Sequence, residues 1–155
     1  MNLEPQIRKA RIKEFLEIAH LDREAWSENR NSDHIPDGEH IWRLWVEYST
    51  VFVAVIEDRL VGASIMFKSD ENRLFLLHKI FISKDFRDKK IGHHFFSRIT
   101  EFLDQCQYDC LLTTDPVNAR MIHLCEKFGF LEKHFELSFY RDNEDRFVLR
   151  RICKS

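Results

Sequence analysis

The residues best suited to chemistry lie in the basic turn Arg87–Gly92, between an apolar run and an amphipathic segment. The apolar run Leu74–Ile82 predicts a strand, and Ile91–Cys106 carries apolar residues at helical spacing. The first backbone N–H groups of a helix have no partner within the helix, and the helix dipole is positive there. Together with the three cationic side chains of the turn, these groups predict an anion site suited to a phosphate.

The elements that must position this turn follow from hydrophobic periodicity. The predicted strands are Gln6–Ala10, Thr50–Ile56, Leu60–Phe67, Leu74–Ile82, Asp109–Thr114, Phe135–Tyr140 and Arg146–Ile152. The predicted helices are Ile12–Trp26, Glu39–Tyr48, Ile91–Cys106 and a segment from Asp115 to about Phe128. The order β-α-α-β-β-β-α-β-α-β-β predicts an α/β (α+β) fold, with a mixed, mostly antiparallel seven-stranded sheet and four helices. Its fourth and fifth strands should be parallel and joined by a right-handed helical crossover.

The last predicted helix has explicit start and stop signals. Asp115 is predicted as its N-cap residue, and Pro116 as its first helical residue. Gly129 is predicted to close the helix in the left-handed conformation that glycine adopts readily.

Composition excludes several classes of protein. The 155 residues predict one domain (1–155), and a net charge of −2 argues against nucleic acid as a partner. We expect no membrane span, because no apolar run is long enough, and the N-terminus lacks the apolar stretch of a signal peptide. Four cysteines without a CxxC pair predict reduced thiols and a cytoplasmic location. The adjacent His93 and His94 point in different directions on a helix, so no metal site is expected.

Two motifs resemble those of the GNAT superfamily of acetyl-CoA-dependent N-acetyltransferases. Ile80–Gly92 (IFISKDFRDKKIG) is similar to the family's strand and R-x-x-G-x-G turn. Asn118–Phe130 (NARMIHLCEKFGF) is similar to its N-x-x-A-x-x-L-Y-E-K-x-G-F helix. The element order resembles the family fold from about Ile7 to Ile152. The resemblance implies acetyl-CoA as co-substrate and acetyl transfer to a primary amine by direct attack in a ternary complex.

The resemblance also implies where acetyl-CoA binds. The backbone of Ile80–Ile82 would hold the pantetheine arm as an added strand does, with one N–H facing the thioester oxygen. Asn118 would reach a pantetheine amide. The implied cofactor-binding residues are Ile80, Phe81, Ile82, Arg87, Asp88, Lys89, Lys90, Ile91, Gly92, His93 and Asn118. Lys90 stands where the family usually has its first glycine, and a lysine there can still offer its N–H to a phosphate provided that its φ stays negative.

His78 is the candidate for accepting the proton of the amine, because histidine suits proton transfer near neutral pH. Strand alternation puts it on the face of Ile80 and Ile82, unless a bulge intervenes. Many family members carry a glutamate two residues earlier, where this chain has Leu76. The layout L-x-H-x-I-F-I is instead similar to the histidine-bearing strand of aralkylamine N-acetyltransferases. The alternative is a histidine at a strand end that faces solvent or bonds a backbone carbonyl.

Cys125 is the second catalytic candidate. It stands where the family usually has the tyrosine that protonates the departing CoA thiolate, and a thiol could donate that proton. The competing interpretation is a small apolar residue in the core, which is the more frequent role of a cysteine on a buried helix face. A further alternative is an acyl-enzyme, with Cys125 as nucleophile and His78 as base. The resemblance argues against it, because the family works by direct attack in a ternary complex.

The amine should bind at the first two helices and the loop between them, because carboxylates beside aromatic rings suit a cation. The candidate substrate-binding residues are Trp26, Glu28, Asp33 and His34, with Asp37, Trp42 and Trp45 nearby. The alternative is that the tryptophans are core and the acids solvated.

A small-molecule amine is the leading prediction for the acceptor. A protein N-terminus or lysine, and a non-catalytic acyl-CoA-binding module, are the alternatives. We expect a monomer or a homodimer.

Overall fold

The computed structural model describes residues 4–30, 32–33 and 37–155 and contains two compact units. The first unit comprises the chain up to Phe67 together with Lys79–Phe95, and the second comprises Lys68–His78 and Phe96–Ser155. The prediction of a single domain stays a prediction.

Seven strands and four α-helices make up the described part of the chain. The strands are β1 Gln6–Lys9, β2 Thr50–Ile56, β3 Arg59–Lys68, β4 Leu74–Ile82, β5 Asp109–Thr114, β6 Phe130–Glu136 and β7 Arg146–Arg151. The helices are α1 Phe15–Ser27, α2 Glu39–Tyr48, α3 Ile91–Cys106 and α4 Ala119–Lys127, with 3-10 turns at Ile12–Glu14 and Lys84–Phe86. Over these same residues, no helix is long and apolar enough to cross a membrane.

All seven strands belong to one sheet, in the order β1-β2-β3-β4-β5-β7-β6. Strand β5 runs parallel to β4 and antiparallel to β7, and β1–β2, β2–β3 and β6–β7 are antiparallel pairs. These pairings confirm the predicted fold class, a mixed and mostly antiparallel seven-stranded sheet with four helices, and the predicted element order.

The core of the first unit is a cluster of apolar side chains from α1, α2, β2 and β3. Its buried members are Ile18, Ala19, Trp42, Val51, Val53, Leu60, Ala63 and Ile65. Gly62 lies where β3 meets the β4 backbone, because a Cβ atom there would be 2.8 Å from the carbonyl oxygen of Phe81. Any side chain at this position would push β4 away, so the glycine sets how closely the candidate cofactor strand approaches its neighbour.

The first helix begins in a tighter turn than predicted. The predicted helix starts at Ile12, whereas the structure has a 3-10 turn there and begins α1 at Phe15. Glu14 explains the difference, because its carboxylate accepts the backbone N–H of Arg11 at 2.7 Å and pairs with Arg8 at 2.9 Å. This side-chain cap holds the entrance to the helix in the tighter geometry.

Helix α4 begins at Ala119, so the predicted cap at Asp115 is wrong. The Asp115 carboxylate accepts the backbone N–H of Val117 at 3.1 Å, and the Asp115 carbonyl accepts that of Asn118 at 2.9 Å. Asp-Pro therefore opens a turn, for which the same residue types are suited. Asn118 is the true N-cap residue, since its side chain accepts the N–H of Met121 at 3.2 Å. The predicted C-terminal signal is confirmed, because Gly129 has a φ of +95°.

Strand β6 is also displaced from its prediction. The structure places it at Phe130–Glu136, directly after Gly129, and not at Phe135–Tyr140. Beyond it the chain turns, with the backbone N–H of Ser138 donating to the Asp145 carboxylate at 2.8 Å. The apolar residues that suggested a strand here are exposed, so their alternation does not reflect burial against the sheet.

Candidate functional site

The basic turn of the first unit has the geometry of an anion site. After β4, the backbone N–H of Ser83 donates to the carbonyl of Val61 at 2.8 Å, and α3 begins at Ile91. The N–H of His94 donates to the carbonyl of Lys90 at 3.2 Å, which closes the first turn of the helix. The N–H groups of that turn point out of the helix end, beside the exposed Lys89 and Lys90. Phosphate groups bind at helix ends of this kind.

Lys90 adopts a left-handed conformation, with a φ of 61°, so the condition of a negative φ, under which its N–H was expected to reach a phosphate, is not met. Asp88 is left-handed as well, with a φ of 65°. Two such residues turn the chain from the 3-10 turn into α3, and glycine would adopt this conformation without a steric penalty. A residue with a Cβ atom in this left-handed conformation destabilises the fold by about 1–2 kcal/mol.

Arg87 and Glu28, predicted for the cofactor and the substrate respectively, bond to each other. The Arg87 guanidinium lies 2.5 Å from the Glu28 carboxylate, and its Nε donates to the carbonyl of Ile82 at 3.2 Å. The hydrogen bond and charge of Arg87 lower the pKa of Glu28, with a smaller contribution from Lys84. The C-terminal end of α1 is thus joined to the basic turn.

A cleft of the first unit runs along this ion pair. Its lining residues are Leu21, Glu24, Ala25, Ser27, Glu28, Ile82, Ser83, Lys84 and Arg87. Carboxylates line the α1 side of this cleft, and cationic side chains line the side of the turn. A ligand that carries both charges, or two ligands of opposite charge, suit such a cleft.

A buried charge cluster, formed by Asp22, Lys79 and Asp37, is the feature of the first unit that the sequence analysis missed. The Lys79 ammonium lies 2.8 Å from a carboxylate oxygen of Asp22 and 2.8 Å from one of Asp37. Asp22 also accepts the indole N–H of Trp42 at 2.9 Å, and the ammonium lies 5.5 Å from the Trp26 ring centroid. The three charged side chains are only 7%, 12% and 11% exposed, in the order given.

Two signals for this cluster were present in the sequence. Asp22 falls on the α1 stripe that carries the buried Ile18 and Ala19, and Lys79 interrupts an apolar strand. Since a buried charge requires a partner, the two residues could have been matched. Asp37 and Trp26, which were expected near an amine substrate, thus surround the amine of Lys79 together with Asp22, which was not.

The other predicted substrate residues have separate positions. Asp33 is exposed in a turn, and His34 lies outside the described residues. Trp42 and Trp45 pack edge to face with ring centroids 5.0 Å apart, and Trp42 is fully buried in the core cluster. The structure therefore places Trp42 in the core, as the alternative interpretation had it.

The second unit contains His78, Asn118 and Cys125. Strands β4 and β5 pair in parallel from Leu74 opposite Asp109 to Leu76 opposite Leu111, where their pairing within this unit ends. His78 is exposed on β4 just beyond this point, and Asn118 follows the carboxyl end of β5. Ligands of parallel sheets bind at this edge, outside the carboxyl ends of the strands.

Asn118 has one end of its amide committed to the fold. Its carbonyl oxygen accepts the N–H of Met121 and so caps α4. The residue is exposed, and its NH₂ group is the end that could donate to a ligand carbonyl.

Cys125 is fully buried in the second unit, with no exposed surface. Burial raises the pKa of its thiol to about 12, and the charge of Glu126 acts in the same direction. Burial likewise raises the pKa of the equally buried Cys110 to about 12. This environment is that of a neutral thiol packed in the core.

Solved structures share the fold of this chain. The Salmonella typhimurium protein yncA, solved with its cofactor acetyl-CoA, matches with a TM-score of 0.82 at 14% identity, over 97% of this chain and 95% of that one. The ribosomal-protein-S18-alanine N-acetyltransferase from Escherichia coli matches with a TM-score of 0.81 at 16% identity, over 98% and 96%. A spermidine N-acetyltransferase chimera from Vibrio cholerae and hSSAT matches with a TM-score of 0.78 at 14% identity, over 96% and 95%. At these identities the likeness shows the fold alone.

Sequence comparison adds the family. No curated protein matches the sequence. Residues 15–130, however, match the model of the acetyltransferase (GNAT) family, which confirms the resemblance seen in the two motifs. This match spans most of the chain, which therefore belongs to the GNAT family of acetyltransferases, whose acyl donor is acetyl-CoA.

Proposed function

We propose that this acetyltransferase transfers the acetyl group of acetyl-CoA to a primary amine of a small molecule, by direct attack in a ternary complex. The observation that carries the proposal is the basic turn between β4 and α3, in which the first-turn N–H groups of α3 adjoin Lys89 and Lys90. That combination of fixed dipoles and cations suits the pyrophosphate of a CoA thioester.

In this proposal, backbone and side-chain groups hold the bound co-substrate. The first turn of α3, with Arg87–His93, holds the pyrophosphate, and the backbone of Ile80–Ile82 aligns the pantetheine arm and faces the thioester oxygen. The NH₂ group of Asn118 donates to a pantetheine carbonyl, because its carbonyl oxygen already caps α4. Acetyl-CoA supplies the activated acyl group.

His78 accepts the proton that the amine must lose. An aliphatic amine has a pKa of about 10 in water and is mostly protonated at neutral pH, so its nitrogen lone pair is blocked. A histidine on the exposed face of β4 can take that proton and pass it to solvent. The freed nitrogen then attacks the thioester carbon, and the C–S bond breaks with its electron pair on sulfur.

The acceptor in this proposal is a small cationic amine. Glu24 lines the cleft of the first unit on the side opposite the basic turn, so one carboxylate can face an ammonium group there, whereas Glu28 is paired with Arg87. Among the proteins of this fold, the Vibrio cholerae chimera is a spermidine N-acetyltransferase, and the Escherichia coli enzyme acts on an alanine of ribosomal protein S18. The pairing of Asp37 with Lys79 and of Glu28 with Arg87 favours the small amine, because these acids are not arranged as a groove for a basic peptide.

Release of the CoA thiol over a panel of acceptors tests the proposal. The panel contains polyamines, arylalkylamines, amino acids, and peptides with a free N-terminus or a lysine. We expect thiol release with one class of small amine, and a His78→Ala variant that is slower at neutral pH and recovers as the amine deprotonates at high pH. Release with peptides alone would point to a protein acetyltransferase. Binding of acetyl-CoA without release for any acceptor would point to a binding module.

A cytoplasmic location belongs to the same proposal. It is supported by the four cysteines, Cys106, Cys110, Cys125 and Cys153, which are all free thiols in the structure.

A further inference from the structure

We propose that Tyr140 is the catalytic acid of this enzyme and gives its phenolic proton to the departing CoA thiolate. The inference rests on the proposed function, since it names the proton donor of that same reaction. It is carried by the position of one hydroxyl group in the second unit.

Helix α4 does not offer an accessible thiol at the position where the family usually has its tyrosine. Its candidate, Cys125, has no exposed surface, and burial raises the pKa of its thiol to about 12. A proton donor must come within hydrogen-bond reach of the atom that it protonates. A fully enclosed thiol cannot come within that reach of a departing thiolate at the protein surface.

Tyr140 places a phenol at the carboxyl end of β5. Its hydroxyl oxygen lies 3.2 Å from the hydroxyl oxygen of Thr113, the next-to-last residue of that strand. The last residue of β5 that pairs with β4 is Leu111, so Thr113 lies two positions beyond the paired register. The phenol therefore stands at the edge where a ligand of two parallel strands binds.

The candidate base occupies the matching position on the other strand. His78 lies two residues beyond Leu76, the partner of Leu111 in the register. Each of the two residues is thus roughly 7 Å past the last pair, at the strand rise of about 3.3 Å per residue. The geometry gives β4 a proton acceptor and β5 a tethered proton donor at the same level along the strands.

The ring of Tyr140 is held while its hydroxyl stays accessible. The guanidinium of Arg146 lies 5.0 Å from the ring centroid, and Phe139 packs edge to face at 4.8 Å. Arg146 is itself buried and pairs with the buried Glu144 at 3.4 Å, so the cation over the ring has a fixed position. Tyr140 remains 54% exposed, which lets both a ligand and solvent reach it.

The other two tyrosines do not occupy this edge. Tyr48 is 76% exposed at the end of α2 in the first unit. Tyr108 precedes β5, so it lies at the opposite, amino end of the strand, where its ring packs against Phe75 beneath Lys68 and Arg73. Tyr140 alone among the three tyrosines combines access with the carboxyl edge.

The proton balance of the step is complete with this assignment. The amine nitrogen forms a bond to the acetyl carbon, and the C–S bond breaks with both electrons on sulfur. The phenolic O–H proton of Tyr140 moves to that sulfur, while the proton released by the attacking nitrogen moves to His78. Solvent then reprotonates the exposed phenolate and removes the proton from the histidine, which restores both groups.

Steady-state kinetics of Tyr140→Phe test the assignment, with Tyr48→Phe as the matched control. We expect Tyr140→Phe to lower kcat about 100-fold, within the range typical of a general acid, with KM for acetyl-CoA and the melting temperature unchanged. We expect Tyr48→Phe to match the wild type. Wild-type kcat in Tyr140→Phe would overturn the assignment, as would a loss confined to Cys125→Ala.

A second variant separates a proton donor from a structural hydroxyl. Fluorotyrosine at position 140 keeps the hydroxyl and its bond to Thr113 but makes the phenol more acidic. We expect the alkaline limb of the kcat profile to move to lower pH, and an unmoved limb would overturn the assignment. The proposed function is judged separately, because it fails only if the wild type itself transfers no acetyl group to any amine.

Discussion

At the scale of the residue, Asn118 combines a structural and a proposed functional role in one side chain. Its carbonyl oxygen caps α4 by accepting the N–H of Met121, and its NH₂ group is the proposed donor to pantetheine. Aspartate caps helices as well as asparagine does, but it has no N–H to donate. The two ends of the amide can therefore be tested apart.

We predict that Asn118→Asp keeps the stability of the wild type and weakens the binding of acetyl-CoA about tenfold, because one hydrogen-bond donor to pantetheine is lost. Asn118→Ala should lose the cap as well, and with it about 1 kcal/mol of unfolding free energy. Urea unfolding and calorimetric titration with acetyl-CoA measure the two effects. Equal affinity of the wild type and Asn118→Asp would remove Asn118 from the cofactor site.

At the scale of the element, the turn between β4 and α3 is strained at Lys90, whose φ is 61°. We predict that Lys90→Gly raises the free energy of unfolding by about 0.5–1 kcal/mol, because removal of the Cβ relieves the left-handed strain. Lys89→Gly is the matched control, since Lys89 has the same charge without a positive φ. It should be neutral or destabilising in urea unfolding. Equal effects of the two substitutions would mean that φ at Lys90 carries no strain energy.

The buried charge cluster joins three elements of the first unit through Lys79, on β4. Its partners are Asp22 of α1 and Asp37, which precedes α2. We predict that Lys79→Ala lowers the free energy of unfolding by about 3–5 kcal/mol, because it leaves two enclosed carboxylates without a cation. Lys133→Ala is the control, since the Lys133 ammonium lies 3.4 Å from the carboxylate of Glu126 and both side chains are exposed. This substitution should change the free energy of unfolding by less than about 0.5 kcal/mol.

Two further variants identify the cause of that loss. If uncompensated charge destabilises Lys79→Ala, then the added substitutions Asp22→Asn and Asp37→Asn should recover part of the lost stability. Recovery by neither would show that the loss comes from packing of the lysine stem and not from the cluster's charge balance.

At the scale of the whole molecule, the buried thiols predict a loss of stability at alkaline pH. The pKa of Cys110 and of Cys125 is about 12 in the folded state, against about 8.5 for an exposed thiol. Below pH 8.5 both states keep the proton. Between about pH 8.5 and 12 only the unfolded state loses it, so the free energy of unfolding falls as pH rises.

We predict that each of these thiols contributes a loss of up to about 1.4 kcal/mol per pH unit in that interval. Urea unfolding at pH 8 and pH 10.5 should therefore show a smaller alkaline loss for Cys110→Ala and for Cys125→Ala than for the wild type. Cys106→Ala, which removes a partly exposed thiol, is the control. Parallel losses in all four proteins would show that other groups cause the alkaline unfolding.

Much of the fold could be predicted from the sequence because periodicity reports burial. The bounds of β2, α2, β4, α3 and β5 agree with their predictions, since each element is flanked by polar or turn residues. The start of α4 could not be fixed this way, because Asp115-Pro116 suits both a helix cap and a turn. The position of β6 was missed because Leu137 and Phe139 are apolar but exposed.

The candidate site was only partly predictable, because motifs indicate residues but not their partners. Local sequence pointed to the basic turn and to Asn118. Local sequence does not reveal that Glu28 pairs with Arg87, or that Asp22 and Asp37 enclose the ammonium of Lys79, because these contacts join residues far apart in the chain. The position of Tyr140 beside Thr113 depends in the same way on the course of the chain after β6.

The most direct test of the account is a single-turnover measurement with the wild-type protein, acetyl-CoA in less than molar equivalence, and the amine selected from the acceptor panel. Calorimetry on the same sample establishes that acetyl-CoA is bound, and mass spectrometry then follows CoA and the acetylated amine together. The account predicts that the two products appear in equal amounts and at the same rate. Bound acetyl-CoA that persists without either product would contradict it.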